Sequence, residues 1–280
     1  FDDIVLWWNT LMEVYISRAK PANKINKPEY QRARARVKEF ARTVFSERQA
    51  NRPAADEDNF LDNLADASQQ DPEFLSNDEA LFLTLAGYFA GLDTVANVSS
   101  FMLYELLKHP DILARVRAEA DQAFGNGTPS AESLRAMPTL HATALETLRL
   151  YPVAGVLPRI AARDFEFGGY VIPQGEHFMV ANAAPHFAPQ FYTDPYRFDI
   201  TRFSEPRMEH KKRGVFAPFG AGPHTCLGAG LAEVQIMLVI ATLLHHAELA
   251  LDPANYRLKK AYLPSMTPKG FGFSISAWRP

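Results

Sequence analysis

The chain has 280 residues, 47% hydrophobic and 22% charged, the balance of an ordinary globular protein able to bury one large core. A formal charge of −3 argues against a general nucleic-acid binder. The single cysteine excludes an internal disulfide and suits a reducing, cytoplasmic compartment.

Residues 1–20 carry apolar side chains at helical spacing (Ile4, Trp7, Trp8, Leu11, Val14, Tyr15), and 28–52 form a second, basic helix with Val37, Phe40, Val44 and Phe45 on one face. The basic face reads as a solvated helix surface with a buried seam beneath it. Residues 52–58 are a polar, proline-containing break. Ser76 followed by Asn77, Asp78 and Glu79 has the form of a helix start, an N-cap and an acidic first turn. The helical pattern that follows runs to His109 before Pro110, about 33 residues or about 50 Å of helix. Gly87 and Gly91 lie inside it, each at a cost of about 1 kcal/mol relative to alanine. Such glycines signal a close approach by another body or a local widening of the helix. A plain helix–helix contact around a buried Thr94 fits the same pattern.

Residues 110–124 are amphipathic and 125–130 turn-rich. In the segment 132–151, Glu146 and Arg149 form an i, i+3 pair. Such pairs are usually surface contacts, but Leu145, Leu148 and Leu150 predict a buried, hydrogen-bonded one here. From Tyr151 onward, short alternating runs (165–167, 170–172, 178–180) predict a small β region. Residues 194–203 are irregular, with Phe198 and Phe203 buried, and 249–280 return to short strands. The longest apolar runs, 80–92 and 236–244, fall short of the roughly 18 residues of a membrane span, so no membrane anchor is expected. Phe1 is preceded by neither a methionine nor a basic, then apolar leader, which points to a start other than the natural N-terminus.

The chemistry concentrates in Phe219-Gly-Ala-Gly-Pro-His-Thr-Cys-Leu-Gly228, followed by an apolar helical run from Leu231 to Leu244. Cys226 therefore sits on a glycine-shaped loop that opens a helix, where outward-pointing amides favour an anionic sulfur. A lone cysteine is most often a small buried hydrophobe. As a metal ligand, one thiolate cannot build a zinc or iron–sulfur site, but it suffices for a haem, which fills the other positions.

Phe219, Gly222, His224, Cys226 and Gly228 match F-x-x-G-x-H-x-C-x-G, which resembles the haem-binding loop of the cytochrome P-450 family. Ala90, Gly91, Asp93 and Thr94 resemble the family's oxygen-activation motif, and Glu146 and Arg149 its E-x-x-R pair. Arg202 resembles the third member of that structural triad, without the proline usual before it. The motifs occur in the family's order. The resemblance implies a mainly α fold with a small β region, corresponding to roughly the C-terminal two-thirds of a single haem domain (residues 1–280) that is incomplete at its N-terminus. It implies haem b as cofactor. Cys226 is then the iron ligand, Arg159 and His224 hold the propionates, and Phe219, Gly220, Ala90 and Gly91 lie along the macrocycle.

The activity implied is monooxygenation, with Thr94 hydrogen-bonding dioxygen at the haem and Asp93 relaying protons. Electrons come from a ferredoxin or flavin reductase, which the basic run His210-Lys-Lys-Arg213 could dock; a solvated basic loop is the alternative. Leu83, Gly87 and Ala90, the loop of Val153, Ala154 and Val156, and the tip 264–267 with Met266 are the expected substrate contacts. They are mostly apolar, so a hydrophobic substrate is expected. A haem-thiolate isomerase or dehydratase of peroxides and a non-catalytic haem-binding remnant are the alternatives. The Asp93–Thr94 pair argues against the first.

Overall fold

The computed structural model describes residues 2–16, 18–53, 59–125, 127–262 and 265–279. The fold is mainly α with a small β region, and the chain divides into two compact units, residues 1–93 and 94–280. The proline-containing break at 52–58 and the tip at Pro264 lie partly outside the described residues.

The first unit contains α1 (Asp2–Leu11), which runs on as a π-helical turn (Met12–Ile16), then α2 (Pro28–Ala50), α3 (Phe60–Gln70), α4 (Asn77–Thr84) and the first turns of α5 (Ala86–Lys108). Aromatic rings organise it. Trp7 meets Phe82 and Phe89 edge-on while Trp8 stacks on Phe89, and the Trp7 indole N–H donates to the Tyr30 hydroxyl at 3.0 Å. The buried polar handle is thus satisfied.

The buried seam of α2 is Tyr30, Ala33, Val37 and Ala41. Of the expected face, Val37 lies in it, Val44 and Phe45 are half-buried, with Phe45 packed near Leu64 and Leu75, and Phe40 alone is exposed. Phe40 is 46% exposed. The two alanines leave little bulk in the stripe, so Phe40 falls on its flank. Helix α3 lies in a stretch with no sequence expectation. Asn59 and Asp62 form a capping box at its start, and the fully buried Asp62 also takes Arg48 at 2.6 Å.

Ser76 and Glu79 cap α4 reciprocally, as the sequence predicts. The expected uninterrupted helix does not form. At Leu85 a single turn separates α4 from α5, the Leu85 N–H reaching back to Phe82 O at 3.2 Å. Nor is α5 widened at Gly87 or Gly91: it is α-helical throughout, and a Cβ at either glycine would meet nothing within 4 Å.

The second unit packs the C-terminal part of α5, α6 (Pro110–Phe124), α7 (Ala131–Arg135), α8 (Pro138–Leu150) and α9 (Ala229–His246) around one core. Pro110 and Pro138 each start a helix, where the missing N–H is harmless. Helix α8 is buried on nearly every face, the mark of a central helix. Its threonines are satisfied locally, Thr143 and Thr147 donating to carbonyls four residues back at 2.7 and 2.8 Å.

Among the described residues, four two-stranded antiparallel sheets complete the unit. They are β1 (Leu157–Ile160) with β4 (His177–Val180), β2 (Phe165–Phe167) with β3 (Tyr170–Ile172), β5 (Ala247–Leu251) with β8 (Phe273–Trp278), and β6 (Lys260–Ala261) with β7 (Thr267–Pro268). The segment 194–203 carries no strand, and Phe198 and Phe203 are buried as expected.

Among the described residues, two helical stretches, Asn77–Lys108 and Ala229–His246, are long and apolar enough to cross a membrane by length and composition, which counting uninterrupted apolar runs understates. Helix α9 nevertheless buries Ile236, Met237, Ile240, Ala241 and Leu244 in the core.

Candidate functional site

The cysteine loop is built by its own backbone. Gly220 and Gly222 have φ of +78° and +71°, a region that disfavours any side chain. The Gly220 N–H donates to Ala217 O at 3.1 Å, the Cys226 N–H closes the loop on Phe219 O at 2.9 Å, and Thr225 bonds Gly222 O through both its N–H and its hydroxyl. Gly228 then caps α9, so Cys226 stands at the mouth of a helix, as the sequence predicts. The thiol is exposed, as are its neighbour Leu227 and Leu231 on the first turn of α9. This is not a cysteine used as core filler.

Behind the loop lies a buried charge network on α8. Glu146 and Arg149 are fully buried and meet bidentately, Arg149 Nε donating to Oε2 at 2.6 Å and Nη2 to Oε1 at 2.8 Å. Glu146 Oε1 also accepts from Arg202 Nε at 3.3 Å and from the Asp199 N–H at 2.9 Å. Burial raises the Glu146 carboxyl above its ordinary value, and the Arg149 guanidinium offsets part of that rise. Arg149 Nη1 donates to the carbonyls of His186 and Pro195, both at 2.7 Å.

Arg202 reaches Asp194 O at 2.9 Å and Glu209 at 3.2 Å. Both guanidinium groups lie over the ring of buried Tyr192, at 5.0 and 5.9 Å. That ring serves as a cation–π platform, and burial pushes its phenol up to about 12. Burial opposes ionisation of nearby Asp199, but hydrogen bonds from Thr201 and Arg207 outweigh it and hold its carboxyl down at about 2.

Comparison with known proteins decides the family. The sequence pattern described as cytochrome P-450 matches residues 8–273. This chain belongs to the cytochrome P-450 family. It is 36% identical over 233 residues to a sterol 14α-demethylase of Mycolicibacterium vanbaalenii, covering 80% of this chain and 51% of that protein. It is 33% identical over 215 residues to a cyclooctat-9-en-7-ol 5-monooxygenase of Streptomyces melanosporofaciens, covering 76% of this chain and 46% of that protein. The chain therefore spans about half the length of the curated relatives it matches. The crystal structure of the cytochrome P-450DA heme domain superposes with a TM-score of 0.84 at 24% identity, over 100% of this chain and 60% of that one, which shows the shared fold. Members of the family bind haem b.

The residues present fit such a group. The loop offers one exposed thiol, flanked by exposed apolar side chains. Among the described residues, no cluster of three or more His, Cys, Asp or Glu could hold a metal by itself. A single protein ligand suits an ion whose other ligands come from a macrocycle. Strand β1 runs beside the loop, since a Cβ at Gly220 would lie 3.5 Å from Leu157 Cδ1. Two residues on, half-buried Arg159 donates to Pro158 O at 2.8 Å, and His224 is exposed on the loop itself.

Of the expected substrate contacts, two segments come together: the Met266 N–H donates to Val153 O at 3.3 Å. Asn182 Nδ2 ties Ala154 O (3.2 Å) to Ala217 O (3.1 Å), and Val156 is exposed. Leu83 is half-buried against Leu64, Leu75 and Ala80 in the first unit, a packing position rather than an open one. On α5, Gly87, Ala90 and Asp93 are exposed, and Gly91 and Thr94 half-buried. His186, Tyr192 and Asn182 escaped the sequence reading. Each sits in an irregular stretch where neither helical nor strand periodicity marks a buried side chain.

Proposed function

We propose that this chain forms the haem-thiolate part of a monooxygenase that inserts one atom of dioxygen into a hydrophobic organic substrate. The observation that carries the reading is the exposed Cys226 thiol on a glycine-shaped loop, backed by the buried Glu146–Arg149–Arg202 network. Bound there, haem supplies dioxygen activation. Cys226 would hold the iron through its sulfur, and Arg159 and His224 would pair with the propionates. Phe219 and Gly220 would lie along the macrocycle.

On α5, the Thr94 hydroxyl would hold a proton for the reacting oxygen and Asp93 would resupply it. The exposure of Asp93 suits this role, because a group that refills a proton path must exchange with water. Electrons would come from a ferredoxin or flavin reductase docking on the basic run His210–Arg213. Lys211, Lys212 and Arg213 are exposed there, and a cationic patch steers an acidic donor. Val153, Ala154, Val156 and Met266 form the apolar contact surface for substrate. A hydrophobic substrate agrees with relatives named for a sterol and for cyclooctat-9-en-7-ol. A reducing, cytoplasmic setting suits an exposed thiol.

Thr94→Ala tests the reading. It should retain haem and substrate binding while electron consumption separates from product formation. Unchanged coupling would remove Thr94 from the proton path.

A further inference from the structure

His186 is fully buried, on a short 3₁₀ turn (Ala184–Phe187), and belongs to neither the ion-pair network nor the cysteine loop. Its ring touches both. Nδ1 lies 3.2 Å from Arg149 O, a carbonyl that can only accept. Nε2 lies 3.1 Å from the Ala217 N–H, which can only donate. One neutral tautomer satisfies both contacts, with the proton on Nδ1 and the lone pair on Nε2. The other tautomer sets N–H against N–H on one side and lone pair against lone pair on the other, and the imidazolium still opposes the Ala217 N–H.

The surroundings favour the neutral ring. Phe187 and Phe216 flank it, with ring centroids at 6.5 and 5.4 Å. The charged groups nearest it, Arg149 and behind it Glu146, are committed to each other. Burial first, and the Arg149 charge with it, push its pKa down to about 4.

Ala217 is where the loop is hung. Its carbonyl accepts from the Gly220 N–H and from Asn182 Nδ2, both at 3.1 Å, and its N–H is held only by His186 among the hydrogen bonds described. The grip at the other end is reciprocal, because Arg149 Nη1 donates to the His186 carbonyl at 2.7 Å. A continuous path therefore runs from Glu146 through Arg149 and the His186 ring to Ala217, Gly220 and the Phe219–Cys226 closure.

We propose that His186 is a positioning residue whose Nδ1-protonated ring couples the Glu146–Arg149 pair to the foot of the cysteine loop and so fixes the pose of Cys226. Its consequence for ligation rests on the reading of Cys226 as the iron ligand; the coupling itself does not.

The test uses the full chain. Imidazole ¹⁵N shifts in the wild type should show His186 protonated on Nδ1. Amide hydrogen exchange then compares three variants: His186→Gln keeps an acceptor at the ε position, His186→Asn keeps a donor only at the δ position, and His186→Leu keeps neither. The Asn and Leu variants should exchange about tenfold faster at Ala217 and Gly220, the effect of about one net hydrogen bond. The Gln variant should stay near wild type, and amides of α6 should be unchanged in all three. An Nε2-protonated ring, a Gln variant indistinguishable from Leu, unchanged exchange in Asn and Leu, or uniform loss of protection across the unit would each overturn the proposal. The tautomer measurement stands even if a variant fails to fold. These readings need no haem, so a chain that failed to ligate through Cys226 would leave them intact and count only against the proposed function.

Discussion

Replacing Glu146 by glutamine tests the buried network most severely. The carboxylate accepts four donors: Arg149 Nε and Nη2, Arg202 Nε and the Asp199 N–H. The side chains of Glu146, Arg149 and Arg202 are 0%, 0% and 1% exposed. Glutamine has nearly the same shape, but it removes the negative charge and turns an amide donor toward a guanidinium that can only donate. Two buried cations would then share one carboxylate, Glu209, 3.2 Å from Arg202. Removing one partner of a buried pair costs about 3–5 kcal/mol, against a total stability of about 5–15 kcal/mol for a folded domain. With a urea slope of about 2 kcal/mol per M, a loss near 4 kcal/mol lowers the unfolding midpoint by about 2 M. The assay is urea unfolding of Glu146→Gln and wild type side by side, followed by circular dichroism. A loss below about 1 kcal/mol, the level of an exposed i, i+3 pair, would refute the claim that the network holds the second unit together.

Two further outcomes follow from the same geometry. His186 titrates at about 4 when folded and near 6.5 when unfolded, so on acidification the unfolded chain takes up the proton first. Its contribution is present above pH 6.5 and fades as pH falls toward 4, by up to about 3 kcal/mol at 1.36 kcal/mol per pH unit. Stability measured across that range should show the slope, and His186→Gln should flatten it; an equally steep Gln variant would mean that other groups carry the acid sensitivity. Reversing Lys211 and Lys212 to glutamate should slow reduction by an acidic donor about tenfold at low salt and less at high salt. Stopped-flow rates that do not change would count against docking on this loop.

Much of the fold was legible because its signals are local. Pro110 begins a helix, Ser76 and Glu79 cap one, and the short alternating runs after Tyr151 pair as strands, whereas the segment 132–151 is divided before Pro138. The capping box of Asn59 and Asp62 was equally local and was overlooked beside a polar break. Where packing decides, the sequence misled: Phe40 falls on the exposed flank of the α2 seam, and the single helix expected up to His109 is divided at Leu85 into α4 and α5 rather than widened at its glycines.

At the site, Glu146 and Arg149 were legible as an i, i+3 pair in apolar surroundings, and Cys226 through the residues around it. His186, Tyr192 and Asn182 were not. Their partners lie 31 to 37 residues away for the His186 ring and 28 and 35 for Asn182, and Tyr192 acts through its ring face. Contacts of that range leave no periodic mark in a sequence.

The most direct test of the haem-thiolate reading is the difference spectrum of the haem-supplied, reduced protein with carbon monoxide, recorded for wild type and Cys226→Ser. A strongly red-shifted Soret band in the wild type that Cys226→Ser abolishes is the predicted result. A band typical of nitrogen ligation, a band that survives the substitution, or no bound haem would contradict the assignment of Cys226 as the ligand.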